Sequence, residues 1–245
     1  MGSAPGPVLV ACSHGTRSTA GRSVVEELRE AVRRSRPGLT VAAAHVDVQE
    51  PELGVVLAEL VGAGHRCIVV PLLLSSGYHV RVDIADALRD TAGLAVSAPA
   101  LGPDDVVTGV VRHRFEEALG GPVESFEGAV VLAAAGSSDE RAAADVRTAV
   151  ASLSRSLGRP VTSGYLSAQS PTVAEAVASA RAAGAERVAV VSYLLAPGVF
   201  SARLAAAGAD VVAQPLGPHP DLVELVLARY DAIAGSFTAP EHAPR

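Results

Sequence analysis

The sequence predicts an α/β protein made of two tandem copies of a parallel-sheet βα unit, each flanked by helices. Three observations carry this prediction. Short apolar runs alternate with stretches of helical period, the same series begins again in the second half, and a glycine-rich segment separates the two series.

The elements follow in order. "VLVACS" (8–13) is an uninterrupted apolar run of strand length. From Ser18 onward, Val24, Val25, Leu28, Ala31 and Val32 fall at helical spacing. "LTVAAAHV" (39–46) is a second strand. Pro51 suits the first turn of a helix whose apolar face is Leu53, Val56, Leu57, Leu60 and Val61. "CIVVPLLL" (67–74) is a third strand, His79 to Arg89 a helix, "LAVSA" (94–98) a fourth strand, and Asp104 to Leu119 a helix. A strand–helix–strand alternation of this kind builds a mainly parallel sheet with helices on both faces.

The second series repeats the first. "AVVLAAAGSS" (129–138) answers "VLVACSHGTR" (8–17), and "PVTSGYLSAQSP" (160–171) answers "TVAAAHVDVQEP". "AGAERVAVVSYLLAPG" (183–198) answers "AGHRCIVVPLLLSSG", and "QPLGPHPDLVELV" (214–226) answers "APALGPDDVVTGV". "GGPVESFEG" (120–128) is read as the linker. The chain therefore divides into an N-terminal unit, 1–122, and a C-terminal unit, 123–245.

Composition narrows the function. At 245 residues, with 49% apolar residues and a mean hydropathy of +0.33, each half can bury a core. The formal charge is −6, no stripe of Lys and Arg occurs, and aromatic residues are 3% of the chain. A nucleic-acid groove needs basic tracks and stacking platforms, so no nucleic-acid partner is expected. The opening "MGSAPGP" lacks the basic and apolar regions of a signal peptide, and no apolar run approaches membrane length. The expectation is a cytoplasmic protein with no membrane partner. Cys12 and Cys67 both sit in strand-like runs and read as buried free thiols.

Registering the halves on Gly15 with Gly136, and on Gly77 with Gly198, sets His14 against Ala135 and His79 against Phe200. Registering Pro51 with Pro171 sets Asp47 against Ser167. Positions kept in both halves are explained by folding. Polar groups present in one half only need another explanation, which a one-sided active site supplies. His14 follows the first strand, Asp47 ends the second, and His79 lies beyond the third. In an open parallel sheet the functional crevice lies at the carboxyl ends of the strands. Two imidazoles and a carboxylate gathered there can coordinate a divalent first-row metal, and they can also move protons near neutral pH. His45 points to the opposite face from Val46 and reads as structural or peripheral; His65, His113 and His219 read as solvent-facing or loop residues.

"SHGTR", "VDVQEP" and "PLLLSSGYHVRVDI", with the later "PLGPHPDL", resemble the sirohydrochlorin and cobalt chelatases, the class II chelatases of siroheme and cobalamin synthesis. The resemblance covers nearly the whole chain in two tandem copies, as in the long members. It implies a two-lobed fold with the tetrapyrrole in the cleft between lobes, and a lyase that inserts a divalent metal into sirohydrochlorin. It implies that His14 and His79 bind the metal and assist proton removal, with Asp47 as their acidic partner. Asp47 stands where the family often has Glu, a longer carboxylate. Sirohydrochlorin carries eight carboxylates. Arg17 and Arg81 are candidates to meet them, and Ser75, Ser76 and Gly77 to let backbone approach the ring. No tightly bound organic cofactor is implied; the metal is a substrate, Fe2+ favoured and Co2+ next. Two other readings use the same residues. A tetrapyrrole or metal carrier would use the same cleft without turnover. A histidine phosphatase also places His-Gly after its first strand, but needs Arg where Ser13 stands.

Overall fold

The computed structural model describes residues 6–75, 77 and 82–237. The first half contains β1 (Val8–Ser13), α1 (Thr19–Ser35), β2 (Val41–His45), α2 (Leu53–Gly62), β3 (Cys67–Pro71), α3 (Ile84–Arg89), β4 (Ala95–Ser97) and α4 (Asp105–Leu119). The second contains β5 (Ala129–Ala134), α5 (Glu140–Leu157), β6 (Val161–Tyr165), α6 (Val173–Ala182), β7 (Val188–Tyr193), α7 (Val199–Leu204), β8 (Val211–Val212) and α8 (Pro220–Ala234). Each half forms its own four-stranded parallel sheet, ordered β2-β1-β3-β4 and β6-β5-β7-β8.

β1 and β5 are buried along nearly their whole length because they are central strands with helices on both faces. Alternate residues go to different cores. Val8, Val10 and Cys12 pack with α2 and α3 on one face of the first sheet, whereas Leu9 and Ala11 face α1. Val131 and Ala133 likewise face α6 and α7, and Val130 and Leu132 face the other way. The inward faces of both sheets share one core with α1, α4, α5 and α8. Cys12 and Cys67 are free and buried, and burial pushes their thiols up to about 12 and about 11.

Two features of this arrangement differ from the linear reading. The final helix of each half packs on the opposite half: α4 lies against β7 and β8, and α8 against β3 and α1. Polar contacts pin the exchange. Tyr230 donates its hydroxyl to the Pro7 carbonyl at 2.7 Å, Arg229 reaches Asp104 at 2.8 Å, and Arg114 reaches the Leu216 carbonyl at 2.8 Å. The segment 120–128, expected as a linker, connects the halves and also anchors two of its residues in the core. Gly120 ends α4 at φ 67°, a single 3-10 turn follows at Val123–Ser125, and Val123 and Phe126 are buried. Phe126 meets Phe115 edge to face with ring centroids 5.4 Å apart. The glycines signalled a turn, and the two apolar residues between them anchor it.

The helix read from His79 to Arg89 is described only as Ile84–Arg89; residues 79–81 lie outside the described residues. No described helix is long and apolar enough to cross a membrane.

Candidate functional site

The β1–β2 ladder continues past the strand ends. The Val46 N–H bonds the Ser13 carbonyl and the Asp47 N–H bonds the His14 carbonyl, both at 3.0 Å. The chain then turns so that the Gln49 side-chain oxygen accepts the Thr16 N–H at 3.2 Å. This turn requires Gly15, at φ 93°. A Cβ there would stand 2.0 Å from the Asp47 carbonyl oxygen, so any side chain collides with the loop that carries Asp47. The second half has the same construction. Leu166 bonds the Ala134 carbonyl, Gln169 accepts from Ser137 N–H, and a Cβ on Gly136 would stand 1.9 Å from the Ser167 carbonyl oxygen. Val48 and Ala168 both adopt positive φ, 52° and 58°. Because both copies keep it, that strained backbone belongs to the scaffold.

A cavity of about 960 Å³ opens at these strand ends, between the two halves. This is the upper end of the size range for small-molecule sites. Leucines from the segments that follow β3 and β7, with Ala134, Ala135 and Phe200, give it a mainly apolar wall. The halves also touch across it reciprocally. Beyond β3, a Cβ on Gly77 would meet Ala142 of α5 at 3.2 Å; beyond β7, the Pro197 carbonyl stands 2.6 Å from where Gly21 of α1 would carry a Cβ. Tyr193 donates its hydroxyl to the Leu74 carbonyl at 3.0 Å, and burial raises its phenol above the ordinary range.

His14 is half-buried and lines the cavity, as do Arg17, Ser75 and Gly77. Gly77 approaches the opposite half closely as well. Asp47 is joined to His14 through backbone, but it is exposed, and its carboxylate accepts the Val48 N–H at 2.7 Å instead of lining the cavity. His79, Ser76 and Arg81 lie outside the described residues. Among the described residues, no three His, Cys, Asp or Glu side chains gather into a metal-ligand set.

Three cavity residues escaped the sequence reading. Arg22, on the first turns of α1, donates its Nε–H to the Thr16 carbonyl at 2.8 Å. Arg29 is 3% exposed and donates to the Ala11 and Ala44 carbonyls at 3.0 and 3.1 Å, to the Ser13 hydroxyl at 3.4 Å, and to Glu26 at 3.3 Å. Burial lowers its pKa and Glu26 opposes the shift. His45 is 2% exposed, and its Nδ1 lies 2.8 Å from Ser13 Oγ. Burial, then the Arg29 charge, push its imidazole down to about 4, so the ring is neutral at pH 7. The register explains the meeting: Ser13 pairs with His45 across the β1–β2 ladder, and parallel partners face the same side. A sequence signal existed. Val25, Leu28, Arg29 and Val32 are one face of α1, so a charged residue sits within the apolar stripe.

Arg17, Arg22 and Arg29 are the charged side chains of the cavity wall among the described residues, and no carboxylate joins them. The cavity is therefore cationic in a chain of formal charge −6.

Comparison with known proteins gives the family and the fold. The CbiX family model matches residues 8–118 and, a second time, residues 129–233. A sirohydrochlorin cobaltochelatase of Methanosarcina acetivorans is 27% identical over 124 residues, which are 45% of this chain and 95% of that protein. A chloroplastic sirohydrochlorin ferrochelatase of Arabidopsis thaliana is 29% identical over 126 residues, 49% of this chain and 55% of that protein. SirB from Bacillus subtilis, solved with Fe3+, superposes with a TM-score of 0.79 at 22% identity, covering 95% of this chain and 98% of SirB.

Proposed function

The chain belongs to the CbiX family, and from that premise we propose that it is a sirohydrochlorin chelatase, a lyase that inserts Fe2+ or Co2+ into the tetrapyrrole for siroheme or cobalamin synthesis. The observation that carries this reading is the cavity itself: about 960 Å³, mainly apolar in its walls, and cationic. A flat macrocycle fringed with carboxylates matches that combination, because the ring fills the apolar volume and the acid groups meet guanidinium. A generic apolar metabolite leaves Arg17 and Arg22 unexplained.

Insertion requires that two pyrrole N–H protons leave and that the cation shed water. In this reading the first half, 1–122, carries the chemistry and the second, 123–245, supplies the facing wall. His14 offers a ring nitrogen at the cavity edge as metal donor and proton acceptor. Asp47 follows it on the continued ladder; its carboxylate, which accepts the Val48 N–H outside the cavity wall, would turn from that bond to offset the charge of the incoming ion. His79 completes the donor set. Arg17, with Arg81, meets substrate carboxylates, and Ser75, Ser76 and Gly77 form the loop against the ring.

The test is anaerobic incubation of the enzyme with sirohydrochlorin and Fe2+, then Co2+, followed by absorption spectroscopy. Acceleration over the spontaneous rate is expected, with His14→Ala and His79→Ala each slower by tenfold or more. No acceleration with either metal overturns the activity. Wild-type rates in both variants overturn the assigned roles. Stoichiometric binding without turnover would make the protein a carrier.

A further inference from the structure

The geometry points to His45 as a substrate-binding residue: its Nε2–H donates to one carboxylate of the bound tetrapyrrole, with the Arg22 guanidinium supplying the positive charge at the same wall. The inference rests on the tetrapyrrole reading above and adds a recognition site to it.

Proton accounting fixes the tautomer. The Ser13 hydroxyl lies 2.8 Å from His45 Nδ1 and also receives an N–H from Arg29. Arg29 can only donate. Ser13 has one proton to give, and Nδ1 is the acceptor within reach. The arrangement that uses every proton is Arg29 to Ser13 Oγ and Ser13 O–H to Nδ1. The imidazole proton then resides on Nε2. The other neutral tautomer, with the proton on Nδ1, would make Ser13 Oγ accept from both His45 and Arg29 and leave the Ser13 hydroxyl proton without an acceptor on His45.

Nε2–H has no hydrogen-bond partner among the described residues, and it is not among the fully buried polar atoms left unpaired there. His45 nonetheless lines the cavity. A side chain so nearly buried, locked at one nitrogen and open to the cavity at the other, presents a fixed donor. Arg22 lines the same wall with its Nε–H tied to Thr16, and its terminal amino groups have no partner among the described residues. A planar acid group accepts from both residues. An imidazole donor also leaves the cation to Arg22, so the ligand is an anion and not a second metal.

The second half lacks the device. By the repeat register, Ser13 answers to Ala134, Arg29 to Val150 and His45 to Tyr165. The backbone at both strand ends is the same, since His45 N–H bonds the Pro51 carbonyl and Tyr165 N–H the Pro171 carbonyl. The fold therefore forms at this corner without the polar set.

The test uses uroporphyrin, an eight-carboxylate porphyrin that binds without metal or turnover, followed by its own fluorescence anisotropy because the chain has no tryptophan. A lost hydrogen bond to a charged group corresponds to about tenfold in affinity. His45→Phe and Arg22→Ala should each weaken binding about tenfold. His45→Gln, which keeps a donor near the Nε2 position, should stay within about twofold to threefold of wild type. Should His45→Phe fail to fold, Ser13→Ala reports instead, because releasing Nδ1 unlocks the tautomer and weakens binding severalfold. Wild-type affinity in folded His45→Phe, or in Ser13→Ala where it must stand in, overturns the inference, as does a wild-type protein that binds no uroporphyrin. The two readings fail separately. Metal insertion with an unchanged Kd in His45→Phe removes this site and keeps the chelatase. His45-dependent binding without metal insertion keeps this site and removes the chelatase.

Discussion

Replacing Gly15 with alanine tests the link between the scaffold turn and the site. Gly15 has φ 93°, and a Cβ would stand 2.0 Å from the Asp47 carbonyl oxygen and 3.2 Å from Gln49 Cβ. A left-handed backbone costs a non-glycine residue roughly 1–2 kcal/mol. Relieving the overlap means moving the 47–49 loop by about 1 Å or more, since non-bonded atoms need roughly 3 Å. That movement stretches the Asp47–His14 and Gln49–Thr16 hydrogen bonds, each worth about 1 kcal/mol. The expected loss is about 2–4 kcal/mol, or roughly 5–15 °C in Tm for a chain of this size. Gly136→Ala should cost a similar amount, because Gly136 has φ 86° and its Cβ would stand 1.9 Å from the Ser167 carbonyl oxygen. The two variants should part in activity. Gly15→Ala displaces His14 and Asp47 and should abolish metal insertion even well below its Tm; Gly136→Ala should retain most of the wild-type rate. Urea unfolding and the chelation assay read both quantities. A Gly15→Ala protein within 0.5 kcal/mol of wild type, or equal activity losses in both variants, would refute the reasoning.

His45 gives a pH dependence. Its folded pKa of about 4 lies below the unfolded value of about 6.5, so the unfolded chain binds the extra proton first. The stability this site contributes is complete above pH 6.5 and falls by up to about 3 kcal/mol as pH drops toward 4; His45→Gln should flatten that part of a urea-midpoint profile, and an unchanged slope would contradict it. Asp47→Asn keeps the acceptor for the Val48 N–H on an exposed side chain, so stability should move by less than about 0.5 kcal/mol while turnover falls tenfold or more; the chelation assay and urea midpoint together check it. Tyr193→Phe removes the hydroxyl bond to the Leu74 carbonyl between the halves and should cost about 1 kcal/mol, measured by urea unfolding. Converting the first half to the second with Ser13→Ala, Arg29→Val and His45→Tyr together should leave stability equal or raised by 1–4 kcal/mol while uroporphyrin binding weakens; a protein destabilised by several kcal/mol would assign the polar set to folding.

The repeated elements were legible because each is a short apolar run bounded by a polar break. "VLVACS" became β1, and "CIVVP" of the run "CIVVPLLL" became β3, both fully buried between helices, while Leu72, Leu73 and Leu74 leave the strand and line the cavity. Ser18 became the cap of α1, its hydroxyl accepting the Gly21 N–H. The exchange of α4 and α8 was not legible. Periodicity tells a helix which face to bury but not which of two similar sheets to bury it against, and both helices carry apolar residues on broad faces. The segment 120–128 misled for a related reason: its glycines mark a turn, while Val123 and Phe126 find partners only in three dimensions. His14 and Asp47 could be singled out by the register between halves. The same register singles out Ser13, Arg29 and His45, yet Arg29 sits inside a helix period and His45 inside a strand, where side-chain type is readily absorbed into scaffold. Burial was the missing quantity. It distinguishes an Arg on a solvated face from an Arg 3% exposed beneath a cavity.

The asymmetry between the halves is an energetic statement. Burying a guanidinium and an imidazole removes solvation that their partners must replace, and a well-packed apolar set at the same positions is often as stable or more so. The second half demonstrates that solution within the same chain, with Ala134, Val150 and Tyr165 among the residues of the shared core or packed against it. Its β5–β6 ladder, its Gly136 turn and its Gln169 bond reproduce the first half without the polar set. Folding alone therefore does not call for Arg29 or His45. Their position at a cationic cavity, with the His45 Nδ1 held by Ser13, makes the ligand recognition proposed above the demand that balances their desolvation. The helix exchange adds a constraint. Because α8 covers β3 and α4 covers β7, the halves share one core, so the wall carrying Phe200 is held in fixed register with the wall carrying His14 and His45. A site assembled from two unlike walls needs that rigidity, since a carboxylate hydrogen bond lost to an ångström of drift is worth as much as the one designed.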